Sequence, residues 1–259
     1  MPPSGIRRRV AQVLWWVSLL ILASGLALPP LGIPAPLGLL IGTGMVTLGL
    51  SALLAGEIVA GPEPRSYTVR GQVVRGRLDG RVGMCDLEVS ACPNDRVASL
   101  RFGPFGKPGF EIVEGVAYLR LRNGLFRPNL TRWQSDLAGN VLWDIDVRSS
   151  LGEVALDLSN LRLERVNAST ALGRLSVRCP RRGYVQMRLR SLLGTIELII
   201  PPQVGARVTL RRGQLAHVTL NNERLLAIGG GRYSTPDFDT APAQVEIRIE
   251  SSAGDIFLN

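Results

Sequence analysis

The sequence is short of the residues on which most enzymes and nucleic-acid binders depend. Its 259 residues contain one histidine, His217, and three cysteines. A single histidine excludes histidine-rich metal sites and leaves one candidate imidazole base. Three cysteines in this length do not make a disulfide framework. Aromatic residues are 5% of the chain, which is poor for a surface that stacks nucleic-acid bases. Lys107 is the one lysine among 30 basic residues, so lysine-run targeting signals are excluded. Charge itself is missing from Val10 to Gly56. Together these absences argue against a soluble catalyst, and the last argues for attachment to a membrane.

What the uncharged region holds is two apolar stretches, 10–28 and 37–56, each about one bilayer thickness if helical. Four prolines between Pro29 and Pro36 cannot continue a helix. The spacing predicts a two-helix transmembrane hairpin over 10–60, preceded by a basic tail, 1–9. Arg7, Arg8 and Arg9 precede the first stretch, and Arg65 and Arg70 follow the second. The positive-inside rule then puts both ends in the cytoplasm, as a two-span protein of the cell membrane. The competing expectation is a secretory signal ending near Ala23–Ala27, which would place the rest of the chain outside.

From 61 to 259 the pattern changes to period-two alternation broken by glycine and proline, and no long amphipathic helix is visible. This predicts an all-β domain. It also contains a repeat. The segments starting at Leu151, Leu172 and Leu193 align without gaps, so that Gly152, Gly173 and Gly194 are each 21 residues apart. A fourth copy around Gly254 closes the chain, and Gly83 marks a divergent fifth. Residues two, four and, where present, six after each glycine are apolar, the pattern of a strand with one buried face. Leu156, Val177 and Leu198 are therefore expected in the core of neighbouring strands. A second strand fits in each unit, Val185-Met187-Leu189 after Gly173 and Ala206-Val208-Leu210 after Gly194. Two strands per repeat predict stacked units forming a β-roll, a solenoid-like sandwich of two facing sheets around one core.

The Leu-Gly-x-apolar-x-apolar unit, the proline after the strand at Pro180 and Pro201, and the segment from Tyr233 to Pro242 followed by Val245–Glu250 resemble the toast-rack β-roll domain. That domain ends bacterial membrane proteins similar to the LiaF-like, cell-wall-active antibiotic response family. The resemblance implies a membrane-anchored scaffold or sensor accessory in envelope-stress signalling, with no cofactor and no catalytic residues. The alternative is an extracytoplasmic, adhesin-like or cell-wall-contacting β domain.

Candidate chemistry is sparse. The stretch from Gly103 to Pro108 has proline where a phosphate loop needs Ser or Thr and a helix start. Gly229-Gly230-Gly231 opens no helix and reads as a loop. His217 has no Gly-x-Ser-x-Gly partner motif, so no catalytic residue is expected. Asp237 and Asp239 are too few for calcium and read as turn residues. Cys85 and Cys179 fall on apolar positions of the repeat and read as core, and Cys92 has no metal-type spacing partner. No metal is expected.

One feature points to a partner. Seven arginines and no acid lie between Arg165 and Ile196, and Arg207, Arg211 and Arg212 continue the run. Arg174, Arg178, Arg188 and Arg190 are expected to point outward from one sheet as a cationic strip. The partners it would suit are an anionic lipid surface, beside the bilayer already expected, or an acidic protein; nucleic acid is not expected. The plainer reading is a solvated face.

Overall fold

A computed structural model describes residues 13–21, 43–48, 65–102, 108–122 and 132–259. The chain divides into two compact units, Met1–Pro62 and Glu63–Asn259. In the first, residues 13–21 and 43–48 are helical. The Ser18 hydroxyl lies 2.7 Å from the Leu14 carbonyl and 2.9 Å from the Thr47 hydroxyl, joining the two helical pieces. Among the described residues no helix is long and apolar enough to cross a membrane. This corrects the expected two-helix transmembrane hairpin, and with it the two-span membrane localisation and the cytoplasmic placement that followed from it. Absence of charge satisfies the transfer cost of a span, but a continuous helix is a separate condition. Gly44, within helical residues 43–48, weakens a helix by about 1 kcal/mol relative to alanine. The proline loop at 29–36 and much of both apolar stretches lie outside the described residues.

The second unit is built from strands. In chain order they are β1 (Arg65–Val69), β2 (Arg75–Met84), β3 (Leu87–Cys92), β4 (Ala98–Phe102), β5 (Gly109–Val113), β6 (Val116–Arg122), β7 (Trp133–Ala138) and β8 (Leu142–Leu151). There follow β9 (Val154–Asp157), β10 (Arg162–Arg178), β11 (Gly183–Ile199), β12 (Val204–Leu220), β13 (Leu226–Gly229), β14 (Arg232–Ser234) and β15 (Ala243–Leu258). Period-two alternation is the reason for each. In β11, Val185, Met187 and Leu189 are buried while Gln186, Arg188 and Arg190 point out of the core.

The long strands change sheets at a glycine. β10 bends at Gly173 with φ 133°, β11 at Gly194 with φ 156° and β15 at Gly254 with φ 104°, while Gly152, φ 127°, stands between β8 and β9. Residues before the corner pair in the order β5-β6-β2-β8-β10-β11-β15-β12-β14-β13. Residues after it pair in the order β1-β4-β7-β3-β9-β10-β11-β15-β12. The neighbours from β2 to β12 are parallel in the first sheet, and those from β7 to β12 in the second. Both sheets turn their apolar faces into one core, which runs from Val69 to Leu258.

At the corner the glycines stack. A Cβ on Gly173 would lie 2.1 Å from the Gly152 carbonyl oxygen, one on Gly194 2.0 Å from that of Gly173, and one on Gly254 2.2 Å from that of Gly194. No side chain fits there, so the 21-residue glycine spacing follows from rung-on-rung contact as well as from the turn. Leu156, Val177 and Leu198 are neighbours in register and at most 2% exposed. Three residues before each corner, Ser149, Thr170, Ser191 and Ser251 form a buried hydroxyl ladder. The leucines immediately before the glycines, Leu151, Leu172 and Leu193, are instead 42–49% exposed.

Two features of the repeat differ from expectation. In the divergent copy Met84 pairs with Leu151, and the Cys85 carbonyl faces Gly152. Cys85, not Gly83, therefore occupies the corner. A slip of two residues leaves every side chain on the same face, so alternation alone cannot detect it. The closing copy also does not end the stack. β15 lies between β11 and β12, parallel to both. The connection from β11 to β12 therefore passes β15 sideways by two strand spacings, about 9.6 Å, while returning from the second sheet to the first. The steps from Ile199 to Val204 reach up to about 17 Å when extended. Arg224 holds this crossing, with its guanidinium 2.8 and 2.9 Å from the Asp237 carboxylate and 3.3 and 3.4 Å from the carbonyls of Pro201 and Val204.

Candidate functional site

The sheet change at each glycine decides where the arginines point. Arg174 and Arg178 follow the Gly173 corner and lie on the outer face of the second sheet. Arg188 and Arg190 precede the Gly194 corner and lie on the outer face of the first. The four thus divide between two faces and form no single strip. In the pair on the first sheet, Arg188 Nη2 and Arg190 Nε each donate to Glu250 at 2.8 Å. The hydrogen bond from Arg188, with the charges of Arg190 and Arg188, holds the Glu250 carboxyl below the usual glutamate range.

On the outer face of the first sheet β10, β11, β15 and β12 lie side by side and their outward residues form cross-strand rows. One row reads Arg165, Gln186, Glu246, Arg207 and the next reads Asn167, Arg188, Arg248, Thr209. They line an open groove of about 480 Å³, whose floor contains Met187 and Ile247 from the core side. Four arginines and one glutamate give it a surplus of three positive charges. Arg207 is partly engaged: its guanidinium carbon sits 4.1 Å above the Phe238 ring, and its nitrogens lie 3.6 Å from Glu246 and 3.8 Å from Asp239. Arg165 and Arg248 are exposed and have no ion pair or hydrogen bond among the described residues. Arg188 Nε is buried without an acceptor. Beyond the next row, Arg190, Arg211 and Arg212 line a second, more open groove of about 630 Å³ beside the hydroxyl ladder.

The groove was only partly legible in the sequence. Arg165 and Arg207 belong to the arginine run, but Arg248 and the split of the run do not follow from composition. Counting back from each corner supplies the missing signal: Arg188 stands six residues before Gly194, and Arg248 six before Gly254. Equal offsets put them on one row.

The other candidates have structural settings. Cys179 is fully buried in the core, and burial pushes its thiol up to about 12. Cys85 is 4% exposed at its corner, and Cys92 is half-buried, its thiol raised by burial and by Asp136. His217 is exposed on β12 beside Asp255 of β15. The Asp237 carbonyl accepts from the N–H groups of Thr240 and Ala241, so Asp237 is a turn residue as well as the partner of Arg224. Burial pulls its carboxyl up, but hydrogen bonds from Thr235 and the backbone, with the charge of Arg224, hold it below the usual aspartate range. Asp239 is exposed. The three glycines at 229–231 form the β13–β14 turn with φ of 90°, 61° and 70°. Residues 103–107, the glycine-lysine stretch, lie outside the described residues. Among the described residues no group of three or more His, Cys, Asp and Glu side chains could hold a metal ion.

No protein-family model matches the chain, and no curated protein matches it. Two solved structures do. A candidate adhesin from Bacteroides fragilis is 11% identical, covering 74% of this chain and 94% of its own, at a TM-score of 0.30, too low to carry a comparison of folds. A candidate cell adhesion protein from Clostridium sporogenes is 17% identical, covering 76% of this chain and 98% of its own, at a TM-score of 0.63. At that identity the likeness concerns the fold alone, and it assigns the roll of this chain to the same architecture as that protein.

Proposed function

We propose that residues 65–259 form an adhesin-like binding domain that contacts a cell-wall or cell-surface polymer and performs no catalysis. The observation that carries this reading is the cationic groove on the first sheet, where Arg165 and Arg248 project from the roll with no ion pair or hydrogen bond among the described residues. The shared architecture with the Clostridium sporogenes protein, described as a candidate cell adhesion protein, supports it. Parallel rungs locked at their corners hold outward side chains about 4.8 Å apart across strands and 6.6–6.8 Å apart along them. Such a lattice presents fixed rows to a repeating ligand without needing a pocket. The envelope-stress scaffold implied by the LiaF-like resemblance has its support in the repeat pattern alone.

The test is co-sedimentation of the purified full chain with isolated bacterial cell-wall material. The chain is expected in the pellet at low ionic strength and in the supernatant at high salt, because exposed charges are screened within about 8 Å at 0.15 M. A chain that stays in the supernatant at every salt concentration would overturn the reading.

A further inference from the structure

The groove differs from an ordinary charged face in three ways. Its cations stand in a concave arrangement set by strand register, with Arg165 and Arg207 on the outer strands of one row and Arg188 and Arg248 adjacent on the next. Two of them, Arg165 and Arg248, have no ion pair or hydrogen bond among the described residues, and Arg188, which donates to Glu250 through Nη2, leaves its buried Nε without an acceptor. Gln186 lies between Arg165 and Arg207 in one row, and Asn167 and Thr209 flank Arg188 and Arg248 in the next; these amides and the hydroxyl hydrogen-bond in both senses. Planar guanidinium groups match oxyanions through paired N–H donors, and interleaved amides and a hydroxyl match the hydroxyl groups of sugars.

Resting on the binding role proposed above, we infer that this groove takes an acidic polysaccharide, one whose carboxylate or phosphate groups meet Arg165, Arg188 and Arg248 while its hydroxyls meet Asn167, Gln186 and Thr209. The observations favour this class over two others. A lipid surface would be met by protruding cations beside exposed apolar side chains, whereas the apolar side chains here, Met187 and Ile247, are buried in the floor. An acidic protein would need apolar or aromatic anchoring pockets for most of its binding energy, and the groove is lined by polar side chains above that floor. The four strands span about 14 Å from β10 to β12; a single small anion could bridge the adjacent Arg188 and Arg248, but a ligand that also meets Arg165 on β10 spans the rows as a chain. Glu246, paired with Arg207, sets a position at which the ligand must not place an anion.

The experiment measures binding of fluorescently labelled polygalacturonate and dextran phosphate to the full chain, with neutral dextran and anionic phospholipid vesicles as the other arms. At least one acidic polysaccharide is expected to bind at low salt, the better of the two naming carboxylate or phosphate as the preferred group. Neutral dextran and vesicles are expected not to bind. The pair Arg165→Gln with Arg248→Gln should weaken binding at least tenfold. Arg174→Gln with Arg178→Gln, on the other sheet and equal in charge removed, should change it less than twofold. Arg248→Lys keeps the charge but not the planar fork and should weaken binding several-fold, which keeps the inference testable if the double variant folds poorly. Equal loss from both double variants would reduce the effect to net charge and overturn the inference. So would vesicle binding without polysaccharide binding, or binding of neither acidic polymer. Sedimentation with cell walls that is insensitive to Arg165 and Arg248 would overturn this inference while leaving the adhesin-like reading standing.

Discussion

Replacing Gly173 by alanine tests the corner at which the two sheets meet. The new Cβ would lie 2.1 Å from the Gly152 carbonyl oxygen and 2.9 Å from its carbonyl carbon, both backbone atoms that no rotamer change can move. It would also hold a non-glycine residue at φ 133°. Such a conformation costs on the order of 1–3 kcal/mol, and forcing an extra carbon into a packed contact typically costs another 1–3 kcal/mol or so. Against this, alanine gains about 0.4–1 kcal/mol by restricting the unfolded chain. The expected net loss is therefore about 1–6 kcal/mol, centred near 3. Gly183→Ala is the control: its φ is 81°, but nothing lies within 4 Å of the added Cβ, so it has the strain without the clash. Urea denaturation of both variants, followed by far-ultraviolet circular dichroism, measures the difference. If Gly173→Ala loses under 0.5 kcal/mol, or no more than Gly183→Ala, the rungs do not meet through these glycines.

Leu198 is fully buried between Val177 and Leu258, so Leu198→Ala should lose about 2–5 kcal/mol in the same denaturation assay. The Cys179 thiol, pushed up to about 12 by burial, should stay unreactive toward an aromatic disulfide reagent at pH 8 in the native protein and react once urea unfolds it. Glu250 has a folded-state pKa depressed by its arginine pair, so its contribution is fully present above the unfolded value of 4.5 and is lost as pH falls through the folded value. The stability gap between the native protein and Glu250→Gln, expected below about 1 kcal/mol at pH 7 for a solvent-screened ion pair on the outer face, should therefore close progressively below pH 4.5 in thermal melts at graded pH.

The sequence by itself determined the local rules of this protein. Alternation along 65–259 specified strands, because a strand with one buried face must place every second residue in the core. The 21-residue glycine spacing specified the rung, and the offsets from each glycine identified Leu156, Val177, Leu198, Val185 and Met187 as core. Both rules act within one rung, where sequence distance and spatial distance agree. What the tertiary structure alone decided is how rungs are ordered and which faces are shared. Pairing is a contact between segments far apart in the chain, so nothing local announces that β15 enters between β11 and β12 or that Cys85 replaces glycine at the first corner. The bend at each glycine separates Arg174 and Arg178 from Arg188 and Arg190, although they lie in one run of sequence, and register brings Arg248 beside Arg188 from 60 residues away. In the N-terminal unit, hydropathy reported only the cost of leaving water. Whether apolar residues form a helix of spanning length depends on backbone propensity and packing as well, and there the described helical residues are short, 13–21 and 43–48.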